Sequence, residues 1–539
     1  MMIKRRMFKK FILVVLSVVS VFTLIACNGG GQQQEQQKDG ATTITFWGYG
    51  EATEIQIFRE LVNQFNEDHK GEIYVDYVTK PGNNYYEAVE QIIAGNRCPD
   101  VVYVGDDVCK SWATNGYIVA LDDYVSNSEI IDLDNMWESG IQRYRYDVDK
   151  GLSTPDAPLW ALPKDIGPTV LYYNIDYFQN AGIHIISKDK EEVTQEFVDS
   201  FNATNGTHFT VENMQRGFYR DGIDDLTKWS VPKAGEEMVF NNRIAMTWEE
   251  SENLFKIFTQ SYNSASPSKY GYFTEWWFSY GWSVGGDCIK YDETAGHWRF
   301  SLGDTTQYYN NNGVLTTDAS SGGVAVPTML EAFTKFVQLS QPKTNDIDGK
   351  GTMGLAITPS PNTLNTVGKE QYFTSGQVAT MVDGRWAVPV YRQASSLKFD
   401  CAPLPKAENG IEAGHCGSVG FVIPTNSKHH DEAFTFIEFM SGPEGQAKQA
   451  ESGFNIPNQK DIAMTDVFLQ PGQMPANSII FVRAAEYQRA GDWNYLVDRL
   501  WIDEWADYLN DEVRNGKNNL TDFFNVVTDR TNKTLKEKY

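Results

Sequence analysis

The segment EWWFSYGWSVGGD, residues 275–287, carries five aromatic side chains ahead of two glycines and an aspartate. A flat aromatic ring can cover the apolar C–H face of a pyranose sugar, while carboxylates and amides bind the hydroxyls around the rim. A buried helix would use Leu and Ile instead, because Trp is large and carries an N–H that needs a partner. The segment therefore indicates either an unusual piece of core or a surface that holds a flat ligand.

Gly281-Trp282-Ser283-Val284-Gly285 matches the GxSxG pattern of serine hydrolases. A nucleophile elbow requires a buried strand before the serine and a helix after it. Here bulky aromatic residues precede Ser283, and GDCIKYDETAGHW, which follows, predicts a turn and a strand. We interpret the match as accidental. The paired carboxylates of a glycosidase remain conceivable, because acidic residues abound, but no spacing selects a pair.

The composition limits the classes of partner. The chain has 71 acidic and 46 basic residues, a formal net charge of −25, and 41% hydrophobic residues. This composition predicts a folded globular protein and argues against non-specific binding to nucleic acid. The seven histidines show no HExxH spacing and the cysteines no CxxC pair, so we predict no metal and no cofactor.

The first residues predict export. MMIKRRMFKK is basic, and FILVVLSVVSVFTLIA is an apolar run that fits a signal peptide better than a membrane span. The run ends at Leu24-Ile25-Ala26-Cys27, which resembles the lipobox of bacterial lipoproteins. In those proteins a lipid is attached to the cysteine and the chain is cut before it; the alternative is a conventional cleavage site after a small residue.

The lipobox resemblance implies that residues 1–26 are a lipoprotein signal peptide and that Cys27 is the lipid attachment site. Residues 27–41, which continue as NGGGQQQEQQKDG, predict a flexible tether. Removing the five basic residues before Cys27 takes the formal net charge from −25 to −30.

Five cysteines remain after Cys27, so at least one must stay unpaired within the chain. Cys98 and Cys109 flank the apolar run VVYV and would lie too far apart to bridge if that run is a strand. Cys401 and Cys416 flank an Asn-Gly turn signal and could meet across a hairpin.

From residue 42 onwards, short apolar strands alternate with amphipathic helices, which predicts an α/β fold. TITFWGYGE predicts a strand that ends in a turn, and ATEIQIFRELVNQFNEDH predicts the helix after it. DVVYVG is typical of a central parallel strand, and VLYYN, VATMVDG and GFVIP predict further strands. The polar stretch from about residue 185 to 237 predicts an irregular insertion.

The order of these segments resembles the family 1 extracellular solute-binding proteins of ABC importers, the maltose-binding-like group. The resemblance extends over nearly all of the chain after the tether. It rests on landmarks in the right order: TITFWG, CPDVVYVGDDVCKSWATNGYIVALDDYV, ALPKDIGPTVLYYNIDYFQNAGI, MTWEE, GWSVGGD, MVDGRWAV, GFVIPTNSKHHDEAFTFIEFMSGPEGQ and GFNIPNQ. The chain departs from the family by the 185–237 insertion and by the long segment GDTTQYYNNNGVLTTDASSGGV, which we expect to be a loop.

The resemblance implies an α/β fold of two lobes that close on a ligand through a hinge, like the periplasmic binding proteins. Carried over by segment, the N-lobe comprises residues 42–165 and 418–455. The C-lobe comprises residues 166–417 and 456–539.

The same resemblance implies a set of ligand contacts. Aromatic residues shortly before the GG landmark line the cleft in the family, which assigns Trp276, Trp277 and Tyr280; we expect about two of the five aromatic residues there to touch ligand. Trp386, in DGRWAV, falls where the family commonly places a stacking tryptophan. Asp107 matches the family's binding position. For each Trp, a place in the core is the alternative.

Strand ends supply the remaining candidates, because ligands of α/β sheets bind at the carboxyl ends of strands. Trp47 and Tyr49 lie where the first strand opens into a turn, and Trp493 lies in the polar segment GDWNY. Asp106 and Asp107 follow VVYV, and we expect one to cap a helix and the other to bind. Asp165 follows the lobe crossing and could accept hydrogen bonds from sugar hydroxyls.

These observations predict a substrate-binding lipoprotein of a carbohydrate ABC importer rather than an enzyme. Its expected partners are an oligosaccharide, the permease subunits and, through its lipid, the outer face of the cytoplasmic membrane; we expect a monomer that binds no nucleic acid. A secreted carbohydrate-active hydrolase is the alternative, and a peptide-binding receptor is a more distant one.

Overall fold

The computed structural model describes residues 40–50, 52–82, 84–95, 98–223, 225, 228–364 and 368–539. The predicted signal peptide, Cys27 and all of the predicted tether except residues 40–41 lie outside these ranges. Among the described residues no helix has the length and apolarity needed to cross a membrane.

The described residues form short strands and helices that alternate along the chain. The strands, β1 to β18, are Thr42–Gly48, Ile73–Thr79, Val101–Gly105, Leu162–Pro163, Gly167–Asn174, Ile183–Ile186, Phe218–Arg220, Met238–Asn241, Tyr270–Phe273, Ile289–Asp292, His297–Phe300, Tyr309–Asn311, Val314–Thr316, Val324–Ala325, Val378–Gly384, Phe399–Ala402, Cys416–Gly417 and Val419–Val422.

The α-helices, α1 to α21, are Ala52–Asp68, Tyr85–Ala94, Cys109–Thr114, Asp122–Asn127, Glu138–Gln142, Ile175–Asn180, Gln195–Asn205, Val211–Met214, Trp248–Ile257, Phe278–Ser283, Met329–Gln338, Pro361–Leu364, Lys369–Thr374, Val388–Gln393, His430–Ser441, Pro443–Glu451, Lys460–Ala463, Asp466–Leu469, Ile479–Tyr487, Leu500–Tyr508 and Leu520–Lys538. Short 3-10 turns also occur, including Arg385–Ala387 and Asp492–Tyr495. The α/β fold predicted from the alternation of apolar segments is confirmed.

The first lobe is built on a five-stranded sheet in the order β2-β1-β3-β18-β4. The segment DVVYVG forms β3, all of whose residues are buried, as expected of a central strand. Strand β3 is parallel to β1 but antiparallel to β18, so the sheet is mixed rather than parallel throughout. Helix α1 packs on this sheet, and Phe65 of α1 meets Phe436 of α15 edge to face.

The second lobe is built on a sheet in the order β16-β5-β15-β9, with β17 paired to the start of β5. All eight residues of β5 are buried, which explains the continuous apolar run of VLYYN. One large cluster of buried residues belongs wholly to this lobe and is separate from the main core cluster of the first lobe. The chain is therefore divided into two lobes, as the resemblance implied.

The chain crosses between the two lobes from β4 to β5, from β17 to β18, and again after α16. Asp165 joins these crossings. Its backbone carbonyl accepts a hydrogen bond from Ser418 Oγ at 2.8 Å, and its carboxylate accepts one from Asn455 Nδ2. Ile166 also forms a β-bridge with Ile456. The crossings lie beside the predicted boundaries at residues 165, 418 and 455, whose assignment as the edges of moving units stays a prediction.

Two segments expected to be irregular contain regular secondary structure among their described residues. The 185–237 insertion contributes to the sheet β6-β8-β7 and, with α7 and α8, encloses a small core that includes Val198 and Phe209. The expected loop at residues 303–324 contains β12 and β13 and leads into β14, and these form a three-stranded antiparallel sheet. The short strands of these two segments were not predicted from the sequence, because their runs of apolar residues are too brief to show a period.

The suggested contact between Cys401 and Cys416 is wrong. The five cysteines from Cys98 onwards are all free. Cys401 pairs with Tyr172 and Cys416 with Pro168, positions four residues apart on β5. At about 3.3 Å per residue this separates them by roughly 13 Å, too far for a disulfide.

Candidate ligand-binding cleft

A cavity of about 360 Å³ lies where the first and second lobes face each other. The ends of β1, β3 and β15, the crossing segments and a segment before α20 bring its lining residues together. These residues are Tyr49, Glu54, Tyr86, Gly105, Asp106, Asp107, Lys164, Asp165, Gly167, Trp386, His415, Gly417, Ser418, Val419, Phe454, Asn455, Trp493 and Arg499. We call this cavity the cleft.

The Trp386 ring lies against two glycines. Strand β15 ends at Gly384, and the 3-10 turn Arg385–Ala387 directs the half-buried Trp386 ring back over β5. A Cβ atom on Gly167 would lie 2.8 Å from Trp386 Cζ3, and one on Gly384 would lie 2.0 Å from the same atom. Any larger residue at these positions would displace the ring, so the backbone is shaped to present this indole to the cleft.

Trp493 reaches the cleft from the second lobe and bonds to the first. Its indole Nε1 donates to Asp106 Oδ1 at 2.8 Å, and Arg143 Nη1 donates to Asp106 Oδ2 at 2.9 Å. Asn494 Nδ2 donates to the carbonyl oxygens of Asp106 and Arg143 at 2.9 and 3.2 Å. The segment that carries Trp493 therefore joins the two lobes at one side of the cleft.

Asp107 is the partly exposed carboxylate of the Asp106-Asp107 pair. Burial, with a smaller contribution from the charge of Asp106, raises its pKa to about 6. Arg499 Nη1 lies 3.8 Å from Asp107 Oδ2. Neither aspartate caps α3, whose N-cap is Val108, so the expectation that one would be a helix cap is wrong.

Lys164 is a buried ammonium held between two carboxylates. Its Nζ lies 2.6 Å from Glu54 Oε1 and 2.8 Å from Asp165 Oδ2. Burial alone would lower the pKa of Lys164, but the Asp165 and Glu54 charges outweigh it and raise the pKa above its usual value. Because Lys164, Asn455 and Ser418 all bond to Asp165, this residue organises the crossing as well as lining the cleft.

His415 is a buried imidazole at the edge of the cleft, and neither of its ring nitrogens has a hydrogen-bond partner within the described part of the chain. Burial, and then the positive charges of Arg143 and Lys369, lower its pKa to about 3, so the ring is neutral at physiological pH. A neutral imidazole offers one donor and one acceptor to a ligand.

Two tyrosines form the wall of the first lobe. The hydroxyl groups of Tyr49 and Tyr86 lie 2.9 Å apart, and their rings meet edge to face. Burial raises the pKa of both hydroxyls, so both stay protonated. The cleft therefore combines aromatic rings, carboxylates and neutral polar groups within one cavity, a combination that can bind both the faces and the hydroxyls of a polar ring.

A family model described as bacterial extracellular solute-binding protein matches residues 60–476, well over half of the 539-residue chain. The chain belongs to this family. The resemblance stated from the sequence is thereby confirmed at the level of extracellular solute-binding proteins. A search of curated protein sequences finds no match to this solute-binding protein.

Solved structures share its fold. An ABC substrate-binding protein from Listeria monocytogenes, in complex with cycloalternan, is 17% identical with a TM-score of 0.63, over 93% of this chain and 100% of that one. The sugar-binding protein MalE from Xanthomonas citri is 18% identical with a TM-score of 0.59, over 92% and 98%. The GacH receptor of Streptomyces glaucescens is 17% identical with a TM-score of 0.57, over 93% and 100%. The two-lobe binding-protein fold expected from the resemblance is confirmed.

Five of the nine predicted ligand contacts of this solute-binding protein line the cleft: Tyr49, Asp107, Asp165, Trp386 and Trp493. Trp47 does not; its ring lies under the Lys80 ammonium, 3.8 Å from the ring centroid. Trp47 and Tyr49 are two positions apart, but Tyr49 lies beyond the end of β1, where the chain turns towards the cleft.

The other three predicted contacts, Trp276, Trp277 and Tyr280, do not line the cleft. Tyr280 lies in the core, 6% exposed, and stacks on Trp248 with ring centroids 5.4 Å apart. Trp277 packs edge-on against Trp505. Trp276 is half-buried and lies next to two lining residues, 4.7 Å from His415 and 6.4 Å from Trp493 between ring centroids. The aromatic segment is therefore mostly core, because α10 directs its rings into the second lobe.

Ser283, the serine of the GxSxG match, is at the end of α10 and 1% exposed. Its hydroxyl donates to the Ile411 carbonyl at 2.9 Å and accepts from the Ala407 N–H at 2.9 Å. Both partners are backbone groups, and the helix precedes the serine instead of following it. These contacts give Ser283 a structural role and support the interpretation of the match as accidental.

Several residues that line the cleft were not predicted from the sequence, among them Glu54, Tyr86, Lys164, His415, Phe454, Asn455 and Arg499. Lys164 could have been found, since it stands between Pro163 and Asp165 at the predicted crossing. His415 and Arg499 gave no such signal, because each reaches the cleft through contacts between segments distant in the chain.

Proposed function

We propose that this solute-binding protein captures an oligosaccharide in the cleft and delivers it to the permease of an ABC importer. One observation carries the proposal: two half-buried tryptophan rings, Trp386 and Trp493, line one cavity together with carboxylates at strand ends. Similar structures support it, because the proteins from L. monocytogenes and S. glaucescens were solved with cycloalternan and with acarbose.

The arrangement suits a neutral sugar. The Trp386 and Trp493 rings would cover the apolar faces of pyranose units, and Asp107 and His415 would bind hydroxyl groups. A strongly anionic ligand is disfavoured, because it would meet Asp106 and Asp107, whereas Lys164 is already neutralised by Glu54 and Asp165. The binding step forms no covalent bond, and the protein acts as a monomer.

Lobe closure is the working step of this proposal. The moving units are residues 42–165 with 418–455 and residues 166–417 with 456–539. A sugar that touches both lobes binds the closed form more tightly and shifts the population towards it. Small-angle scattering should show compaction at saturating sugar, and an unchanged radius of gyration would contradict the proposal.

Attachment to the membrane through a lipid on Cys27 is part of the same proposal. The Gly- and Gln-rich composition of the tether predicts that it contributes nothing to either core. Replacing Cys27→Ala should release folded protein from the membrane fraction of the producing bacterium. Protein that stays membrane-bound would show that the apolar run anchors the chain without the lipid.

One incubation experiment distinguishes a transport receptor from a hydrolase. Purified protein is mixed with neutral oligosaccharides such as maltotriose and mannotriose, and the sugars are analysed by chromatography while binding is measured by calorimetry. A transport receptor binds at least one sugar and returns it intact. Release of shorter sugars by the wild type would overturn the proposed function.

A further inference from the structure

A second cavity, of about 530 Å³, borders the cleft. The two share one wall: Trp493 lines the cleft, whereas the next residue, Asn494, lines the second cavity. Lys110 and Arg143 line it from the first lobe, and Trp298 and Tyr495 from the second. It is therefore formed only when the two lobes are in contact.

The inner wall of this cavity holds a buried ammonium that lacks a counter-ion. Lys110 is 3% exposed, and its Nζ donates to the Asn494 carbonyl. Within the described part of the chain no carboxylate pairs with it, and the nearby Asp106 is already bonded to Arg143 and Trp493. Burial lowers the pKa of Lys110 to about 8, which reflects the cost of holding this charge away from water.

The lining also includes two aromatic rings and two exposed carboxylates. The rings of Trp298 and Tyr495 lie nearly parallel, at 21°, with centroids 6.4 Å apart. Glu138 and Glu486 line the cavity and are exposed, and Arg489, which also lines it, is paired with Asp287. These two carboxylates would repel a dianion such as a phosphate ester more strongly than a monoanion.

We propose that this cavity is a second binding site, for a small monocarboxylate with a flat apolar face. The carboxylate would accept hydrogen bonds from the Lys110 ammonium and supply its missing counter-ion. The apolar face would lie against the Trp298 and Tyr495 rings. This inference goes beyond the proposed function and does not require that the cleft binds sugar.

Binding in the second cavity is also coupled to the arrangement of the two lobes. Because residues of both lobes line it, a bound carboxylate favours the lobe arrangement described here over separated lobes. Any ligand of the cleft that favours the same arrangement would bind more tightly when the second cavity is filled, and the reverse holds to the same extent.

Calorimetry on the chain from residue 28 onwards tests the site with sodium benzoate and sodium D-glucuronate. Benzyl alcohol and D-glucose serve as the matched neutral probes. We expect at least one carboxylate to bind at least tenfold more tightly than its neutral counterpart. Absence of binding by both carboxylates, or equal binding of the neutral probes, would overturn the proposal.

Variants locate the binding. Lys110→Met should remove the preference for the carboxylate while keeping the melting temperature at or above that of the wild type, because it removes an uncompensated buried charge. Trp386→Ala, in the cleft, should leave carboxylate binding unchanged. Unaltered binding by Lys110→Met, or loss in Trp386→Ala, would contradict the assignment. If Lys110→Met does not fold, Trp298→Ala replaces it, with a tenfold loss expected.

Discussion

Two aromatic regions of this protein have similar chemistry and opposite positions. The segment at residues 275–287 is dense in aromatic residues, yet its Phe278, Tyr280 and Trp282 are 1 to 6% exposed. The two tryptophans of the cleft come from separate segments, Trp386 from the turn after β15 and Trp493 from another 3-10 turn, and both are half-buried. The two tryptophan rings that line the cleft thus lie singly in short 3-10 turns, whereas the buried rings are clustered along α10.

The partners of the rings differ in the same way. Trp282 Nε1 is shared between Asp287 and Asp492, at 3.2 and 3.1 Å, within one lobe. Trp493 Nε1 bonds to Asp106 across the two lobes. Aromatic residues of the segment pack within the second lobe, whereas Trp493 connects the two lobes and both Trp386 and Trp493 line the cavity between them.

The largest effect is expected in the aromatic segment. Trp282→Ala should lower the free energy of unfolding by about 3–5 kcal/mol. The change leaves a cavity and removes the N–H that donates hydrogen bonds to Asp287 and Asp492. Chemical denaturation measures the loss, with Trp282→Phe as the control that restores most of the packing. A change below about 1 kcal/mol would mean that the segment is not core.

Asp107 should lower the stability of the folded protein as the pH approaches neutrality. Its pKa is about 6 in the folded protein and about 4 in the unfolded chain. The folded state therefore keeps a proton that the unfolded state loses, and stability falls as the pH rises from about 4 to 6. The shift bounds this effect at about 3 kcal/mol.

Replacing Asp107→Asn should remove that component. Denaturation experiments at pH 4 and pH 7 measure the free energy of unfolding of both proteins. The value for the variant minus that for the wild type should be larger at pH 7 than at pH 4. Asp287→Asn, in the aromatic segment, is the matched control on a paired carboxylate. An equal difference between Asp107→Asn and wild type at both pH values would show that Asp107 titrates normally.

A smaller effect is expected at His415. His415→Phe should weaken sugar binding by about fivefold, the value of one hydrogen bond of about 1 kcal/mol, without lowering the melting temperature. Stability is kept because the variant removes two buried nitrogens that lack partners. Since the imidazole is neutral above about pH 3, its contribution should stay constant from pH 5 to 8. Unchanged affinity would remove His415 from the site.

The sequence predicted the fold through local patterns. Alternating apolar segments identified β3, β5 and β15, and ordered landmarks identified the family. The crossing was predicted from the family resemblance of ALPKDIGPTVLYYN, in which Pro163 and Asp165 come just before the fully buried strand β5. Short strands such as β12 and β13 were missed because three residues carry no measurable period.

The site was predicted where a residue follows a strand and missed where contact depends on packing. Tyr49 and Asp107 lie just beyond β1 and β3, and Trp386, which the resemblance supplied, lies just beyond β15; the same strand-end signal also selected Trp47, which does not line the cleft. Trp277 and Tyr280 were misplaced because a sequence of rings does not show which face of α10 meets the core. Arg499 and His415 depend on how distant segments pack, which no local pattern contains.

Fluorescence titration tests the central claim most directly, because both tryptophans of the cleft report on a bound sugar. Neutral oligosaccharides are titrated against the wild type, Trp386→Ala and the matched variant Trp277→Ala. We predict that Trp386→Ala binds at least tenfold more weakly, about 1.4 kcal/mol, while Trp277→Ala loses stability but binds like the wild type. If Trp386→Ala bound sugar with wild-type affinity while Trp277→Ala lost sugar affinity, the account would be contradicted. The binding surface would then lie in the aromatic segment.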